Sequence, residues 1–481
     1  MSLAVHTESV VRTFSSLAAT YGRVGSGRWA VAPLTTRGRE QLELYRALRI
    51  RRGDVVALVG GGGKTSAMFR LGDELAAQGW RVVSTTSTHL GADQIALAPC
   101  AIVLSDQDVD SLALTQPHTL LVGQINPMTN KASGLSPDVI DRIPAILGAD
   151  AVIIEADGAR MLPFKTPADH EPVITPGASL VVSVVGVDAI GQPLDEAHVH
   201  RSEQVIALTG AKLGQPITPE LIAAVLTHPQ GGLKGAPPHA RVVVLINKVQ
   251  TETEIEVAHR LADLLLDAPR IEAVAIGAVQ AADPIRALKS RAAVVVLAAG
   301  ESRRFGRLKQ LLPWGDGRTL LTHALDVALA SQARAVLVVL GCRAGDCRAA
   351  LGDCPVTVLV NPNWAQGQST SVRAGLAALP ENVGAVLFHL ADLPGVTPAV
   401  IDALIERHAA TLAPVVWPEY EGQRGNPVLF DRIAFPELQN LTGDVGARPV
   451  IMAFARAGDV ERVAVDEPGV LLDIDSPQDI P

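Results

Sequence analysis

Val294-Val-Val-Leu-Ala-Ala-Gly-Glu-Ser-Arg-Arg-Phe-Gly-Arg-Leu-Lys-Gln-Leu-Leu-Pro-Trp314 is the stretch on which the reading of this 481-residue chain turns. Val294 to Leu297 is a short, largely β-branched run ended by a glycine turn, the pattern of a buried strand feeding a loop. That loop carries Gly300, Arg303, Arg304, Gly306 and Lys309. Small residues and glycines let the backbone come close to a ligand, while guanidinium and ammonium groups suit phosphate oxygens. In outline this is a nucleoside-triphosphate site; a strand-to-helix turn with a solvated basic face is the plainer alternative.

Working outward, the length suggests two or three domains. A composition 48% hydrophobic and 19% charged belongs to a well-packed chain rather than a disordered one. The formal charge of -9 and an aromatic content of 3% argue against a nucleic-acid partner. Cys100, Cys342, Cys347 and Cys354 form no CxxC pair and read as buried, reduced thiols. With no apolar run long enough for a bilayer and no signal-like start, the expectation is a cytoplasmic protein without a membrane partner.

Short β-branched runs alternate with alanine- and leucine-rich helical stretches from Asp54 onward. Such continuous apolar strands predict parallel sheets covered on both faces. A first series runs from Val55–Val59 to Ala273–Ile276, and a second from Val294 to Val463–Asp466. The fold class is therefore α/β with two doubly wound domains: an N-terminal extension over 1–45, a P-loop NTPase-like domain over 46–289, and a Rossmann-like domain over 290–481. The boundary falls between Asp283 and Arg291, read as a charged, helix-like stretch.

A second glycine loop sits at Val55-Val-Ala-Leu-Val-Gly-Gly-Gly-Gly-Lys-Thr65. Amides of Gly60, Gly61, Gly62 and Gly63, with a helix N-terminus behind them, make an anion cradle; Lys64 reaches terminal phosphates and Thr65 suits magnesium. The loop is shorter than the common G-x-x-x-x-G-K form, because Leu58 stands where that form needs glycine. Val152-Ile-Ile-Glu-Ala-Asp-Gly-Ala159 ends a strand with Glu155 and Asp157 on one face, placed to hold a hydrated cation and orient water, or simply to cap the next turn. Lys165, His170 and Glu171, in a proline-rich loop, are candidates for substrate or metal contact. Asn247 and Lys248 resemble the N-K-x-D base-reading element of GTP-binding proteins, with Gln250 in place of the aspartate, so the nucleotide is ATP or GTP.

The segment L-A-A-G-x-S-x-R-F-G-x-x-K-Q-L-L-P-W resembles the signature of the MobA-like nucleotidyltransferases, specifically their molybdenum cofactor cytidylyltransferase branch, over about 291–481. The G-G-G-G-K-T, E-A-D-G-A-R and P-x-K-x-P-A-x-H-E-P segments resemble a putative selenium-dependent hydroxylase accessory family (YqeC-like) over about 48–289. The first resemblance implies a nucleotidyltransferase that moves CMP from CTP to the molybdopterin cofactor. It places Leu297, Ala298, Ala299, Gly300, Gly306, Gly367 and Ser369 around the nucleotide, with Arg303 and Lys309 as phosphate cations. Asp392 and Asp475 would hold Mg2+, and Asp473 shares the face of Asp475, leaving the assignment between those two open. Arg424, Gly425 and Asn426 would face the pterin, with asparagine in place of the family's histidine. Asp444 and Arg448 would hold the substrate's phosphate end, or pair with one another. The second resemblance implies a nucleotide-binding partner in maturing molybdenum hydroxylases, so an apo-hydroxylase is the expected protein partner. Two rivals stand beside this reading: a nucleotidyltransferase using GTP or a sugar phosphate, and a nucleotide-gated cofactor carrier.

Overall fold

The structure is a computed structural model that describes residues 42–104, 109–302, 305–315, 317–474 and 476–479. The chain divides into two compact units, Met1–Leu288 and Lys289–Pro481. The extension expected over 1–45 lies almost wholly outside the described residues; within them a single helical turn, Leu44–Ala47, precedes the first strand.

The N-terminal unit is built on nine strands: β1 (Val55–Gly60), β2 (Val82–Thr86), β3 (Ala101–Val103), β4 (His118–Val122), β5 (Ala151–Glu155), β6 (Leu180–Gly186), β7 (Arg241–Asn247), β8 (Ala273–Gly277) and β9 (Ile285–Ser290). Their order in the sheet is β9-β8-β7-β6-β1-β5-β2-β4-β3. From β3 to β8 every pairing is parallel. Every residue of β6 is buried, as the run Leu180–Val185, apolar but for Ser183, requires of a strand covered on both sides. After β1 the chain builds outward through β2, β3 and β4 and fills back with β5; β6 then pairs on the opposite edge of β1. That reversal opens a crevice at the carboxyl end of β1, where open α/β sheets gather ligands.

One expectation is corrected here. The stretch 283–291 is not helix-like: Ile285–Ser290 is a strand beside β8. The chain turns back at Pro284, whose carbonyl accepts the Ala278 amide at 2.9 Å. Only six residues link Gly277 to Pro284, which suffices for a turn but not for a helix and its exits.

The main sheet of the C-terminal unit has eight strands: β10 (Ala292–Ala298), β11 (Ala335–Leu340), β12 (Thr357–Val360), β13 (Ala385–Leu390), β14 (Val415–Tyr420), β15 (Gln423–Arg424), β16 (Val428–Asp431) and β17 (Val460–Ala464). The order is β12-β11-β10-β13-β16-β14-β15, with β17 against β14. β12 to β13 are parallel, but β16 runs antiparallel to both β13 and β14. The sheet is thus mixed rather than uniformly wound. A turn through left-handed Glu421 and Gly422 sends the chain straight back from β14, and so short a link permits only antiparallel pairing. Separate apolar clusters cover the two faces of this sheet. The reversal of strand order lies between the parallel strands β10 and β13, so the loops leaving those two strands meet at one crevice. Among the described residues no helix is long and apolar enough to cross a membrane.

Candidate functional site

In the C-terminal unit, β10 delivers Ala298, Ala299 and Gly300 to the crevice, and the loop is braced from beneath by Gln310. The Gln310 side chain, 4% exposed, donates from Nε2 to the Gly300 carbonyl at 2.8 Å and accepts from Ser302 Oγ at 3.2 Å. Ser302 Oγ in turn accepts the Lys309 amide at 3.1 Å, which fixes where the lysine starts. Lys309 Nζ forms an ion pair with Asp392 Oδ2 at the end of β13 and donates to the Ile474 carbonyl at 3.1 Å. The other oxygen, Asp392 Oδ1, is buried with no hydrogen-bond partner among the described residues. A buried carboxylate oxygen without a donor is the polar atom a cation would satisfy, so Asp392 can offer one ligand to a divalent metal, though no group of three or more such side chains gathers here among the described residues.

These groups line a cavity of about 660 Å³ together with Leu297, Trp364, Gln366, Gly367, Gln368, Ser371 and Asp444. Leu297, Ala299, Gly300, Lys309, Gly367, Asp392 and Asp444, all named from the sequence, line this one cavity. Ala298 and Gly306 do not line the cavity. Ser369 turns away from it: its hydroxyl, fully buried, donates to the Gly443 carbonyl at 2.7 Å, and Ser371 takes the place on the wall. Gly367 sits at φ 115° with the Gly443–Asp444 backbone against the position a Cβ would occupy, so glycine is required by both strain and space. Asp444 does not pair with Arg448 but accepts the Gln368 amide at 3.2 Å, at the start of the helix Gln368–Ala377. Asn361 holds that same turn through Thr370 Oγ1 at 2.8 Å and Ser371 Oγ at 3.0 Å.

Arg424, Gly425, Asn426 and Arg448 lie outside the cavity wall. The Asn426 amide bonds the Val470 carbonyl at 2.9 Å, and Gly425 packs against the Val470 side chain. Burial, and after it the charge of Arg448, push the Arg424 guanidinium down from its ordinary range. Arg303 and Asp475 lie outside the described residues, whereas Asp473 is exposed.

In the N-terminal unit the glycine loop leaves β1 with Gly60, Gly62 and Gly63 at φ 95°, 80° and 121°. The Gly61 amide is spent on Val184 O at 2.9 Å and that of Gly62 on Leu162 O at 3.0 Å. Asn247 clamps the loop rather than reaching outward: Nδ2 donates to Gly62 O at 2.7 Å and Oδ1 accepts the Val279 amide at 2.9 Å. Lys248, left-handed at φ 67°, pairs with Asp188 at 2.7 Å. Thr65 Oγ1 donates to Glu155 Oε2 at 2.7 Å and accepts from Gln94 Nε2 at 3.0 Å. Burial pushes the Glu155 carboxyl up, against the opposing pull of Lys64.

A chain of buried charges runs on from there. Lys64 Nζ meets Asp157 Oδ1 at 3.1 Å and Gly60 O at 2.5 Å; Asp157 Oδ2 meets Lys165 at 3.0 Å; Lys165 meets Glu171 at 2.8 Å; and Glu171 meets Arg201 at 2.7 Å. Burial raises the Glu171 carboxyl, but hydrogen bonds from Arg201 and Lys165 outweigh it and bring it to about 2. Lys165 and Glu171 are thus drawn in, whereas His170 is exposed. Gln94, Gln310, Asn361, His200 and Arg201 escaped the sequence reading. Of these only Gln310 carried a signal, its place beside Lys309.

Similarity to known proteins follows the same division. The family described as "YqeC protein" matches residues 56–203, and the "MobA-like NTP transferase domain" matches 294–459. The uncharacterized protein YqeC of Escherichia coli is 32% identical over 48% of this chain and 89% of its own length. The nicotine blue oxidoreductase of Paenarthrobacter nicotinovorans is 32% identical over 32% of this chain and 78% of its own. The molybdenum cofactor cytidylyltransferase of Escherichia coli is 28% identical over 38% of this chain and 91% of its own. The chain therefore belongs to two families at once, the YqeC family through its first half and the MobA-like NTP transferase family through its second, which makes the second half a nucleotidyltransferase.

Proposed function

We propose that the C-terminal unit is a molybdenum cofactor cytidylyltransferase. A phosphate oxygen of the molybdopterin cofactor attacks the α-phosphorus of CTP, the bond to the β-phosphate breaks, and pyrophosphate leaves. The observation that carries this reading is the Lys309–Asp392 pair in a cavity of about 660 Å³, with Asp392 Oδ1 left unpaired. Lys309 neutralises phosphate charge, and Gln310 and Ser302 hold the backbone that cradles it. Asp392 would hold Mg2+, with Asp475 as its expected companion and Arg303 as a second phosphate cation. When bound, that ion would supply charge neutralisation to the triphosphate. Arg424 and Arg448, with Gly425 and Asn426, would receive the anionic pterin. The cytidylyltransferase relative supports CTP and a molybdenum-bearing pterin as substrates.

The experiment is incorporation of radiolabel from CTP and, in parallel, GTP into molybdopterin cofactor by the purified full chain. Label from CTP with matching pyrophosphate release is expected; equal or preferred use of GTP would reject the cytidylyl assignment. Redox turnover without pyrophosphate would instead favour the activity for which the Paenarthrobacter relative is named.

The N-terminal unit we read as a P-loop NTPase-like domain that binds ATP or GTP at Gly60 to Thr65, with Thr65 and Glu155 at the position of a magnesium ion. Lys64 is held by Asp157, so a terminal phosphate arriving at the loop competes for that lysine. This favours a second reading, in which the unit is a nucleotide-gated switch for delivering cofactor to an apo molybdenum hydroxylase in the cytoplasm. Lys64→Ala would then leave cytidylylation intact in vitro while hydroxylase maturation is lost; loss of neither would remove the switch.

A further inference from the structure

Lys309 Nζ stands where oxygens gather. It pairs with Asp392 Oδ2 and donates to the Ile474 carbonyl at 3.1 Å. On the same carboxyl carbon, Asp392 Oδ1 is buried with no hydrogen-bond partner among the described residues. Carboxylate and main-chain carbonyl oxygens are the ligands that hard divalent cations take. The ammonium therefore sits on the donors such a cation would need.

Those oxygens belong to a fixed frame. Ile474 is fully buried in an apolar cluster with Leu312 and Leu320, and its amide donates to the Asp392 carbonyl at 3.1 Å. The turn that follows Asp392 is held as well: His323 Nε2 bonds the Pro394 carbonyl at 3.0 Å, and Gly395 and Gly469 pack main chain to main chain with no room for a Cβ between them. Lys309 is anchored at its amide by Ser302 Oγ at 3.1 Å, but its ammonium rides on a flexible four-carbon stem. The charge that can move at this point, without disturbing the main chain, is that of the lysine.

We propose that Lys309 is a resident counter-cation that keeps divalent metal off Asp392 until a triphosphate draws it away, so that metal and nucleotide enter the cavity together. An ammonium and a divalent cation on one carboxylate repel each other, and both side chains are largely buried, where salt screens that repulsion weakly. A triphosphate carries more negative charge than one carboxylate and can take the ammonium into the cavity. Asp392 is then left to the cation that accompanies the phosphates. Linkage makes the coupling reciprocal: the factor by which nucleotide raises metal affinity is the factor by which metal raises nucleotide affinity. The inference rests on the nucleotidyltransferase reading above for the anion that draws the lysine, but the exclusion of metal rests on the Lys309 contacts alone.

The test is titration of Mn2+ into the full chain without nucleotide, followed by electron paramagnetic resonance. The wild type should hold Mn2+ weakly. Lys309→Met, which keeps the bulk of the stem and removes its charge, should bind one Mn2+ about tenfold more tightly or better. Lys309→Gln should show the same gain with a polar side chain that can still bond the Ile474 carbonyl, which guards against a misfolded Met variant. Lys309→Arg keeps the charge and should stay close to the wild type. Adding Asp392→Asn to Lys309→Met should abolish the gain. Wild-type affinity in both neutral variants would overturn the proposal, as would an equal gain in Lys309→Arg or a gain that survives Asp392→Asn. Because no CTP is present, this comparison and the CTP-labelling experiment can fail independently of one another.

Discussion

The two glycine loops use the same materials, a lysine and a strand-end carboxylate at a point where strand order reverses, yet they treat water in opposite ways. Around Lys64 the charged side chains are 3% exposed or less for Lys64, Asp157 and Lys165, and each is paired to the next. Around Lys309 the pair is 15% and 17% exposed and opens on a cavity with one carboxylate oxygen unpaired among the described residues. A buried pair costs several kcal/mol of desolvation per ion, which only good geometry and extra hydrogen bonds repay. The N-terminal network is therefore part of what holds its unit together, and a ligand must displace existing partners. The C-terminal pair waits on its ligand.

If that contrast is right, the largest effect belongs to the open site. Asp392→Asn should lower cytidylyl transfer about 10²–10³-fold while leaving the melting temperature of the chain nearly unchanged, measured by pyrophosphate release and calorimetry. Lys64→Ala should do the reverse. Removing one partner of a buried ion pair costs about 3–5 kcal/mol, and the remaining Lys165 on Asp157 places this case toward the lower figure. A fall in the N-terminal unit's melting transition, with CTP turnover preserved, is the expected result.

Acid separates the two units further. Glu171 is held near 2, below its unfolded value, so its contribution is present above about 4.5 and is lost as pH falls toward 2. His200, held near 4, is neutral when folded and protonates more readily when unfolded, so stability also falls as pH drops from about 6.5 to 4. Glu171→Gln should remove the lower part of this dependence, a contribution of about 3 kcal/mol at most, in urea titrations at pH 3, 5 and 7. The smallest expected effect lies in the C-terminal unit. His389 is fully buried on β13, neither ring nitrogen has a hydrogen-bond partner among the described residues, and burial and then His323 hold it to about 4. His389→Leu should stabilise that unit by about 1 kcal/mol and flatten its pH dependence between 4 and 6.5, because it removes an unsatisfied polar ring from an apolar layer.

What could be read in advance was contiguous in sequence. The two glycine loops, Lys309, Asp392 and the Glu155–Asp157 pair each stand in short patterns whose spacing carries their geometry. What could not be read depends on partner atoms outside the motif itself. Gln310 is defined by the Gly300 carbonyl, Gln94 by Thr65, and Asn247 by the Gly62 carbonyl, and nothing in their neighbours announces those partners. Asp444 and Ser369 illustrate the converse: both stand in motif positions, but their side chains serve to join two loops, through the Gln368 amide and the Gly443 carbonyl. The direction of the return strand β16 was equally hidden, since the apolar run Val428–Phe430 looks the same in either direction.

The difference between the two sites can be examined most directly by titrating Mn2+ into the full chain with CTP and following the ion by electron paramagnetic resonance. One tightly held, CTP-dependent Mn2+ is predicted in the wild type and in Lys64→Ala, and none in Asp392→Asn. A CTP-dependent signal of equal strength in Asp392→Asn would contradict the assignment of that carboxylate, and with it the reading of the open cavity as the place where the nucleotide reacts.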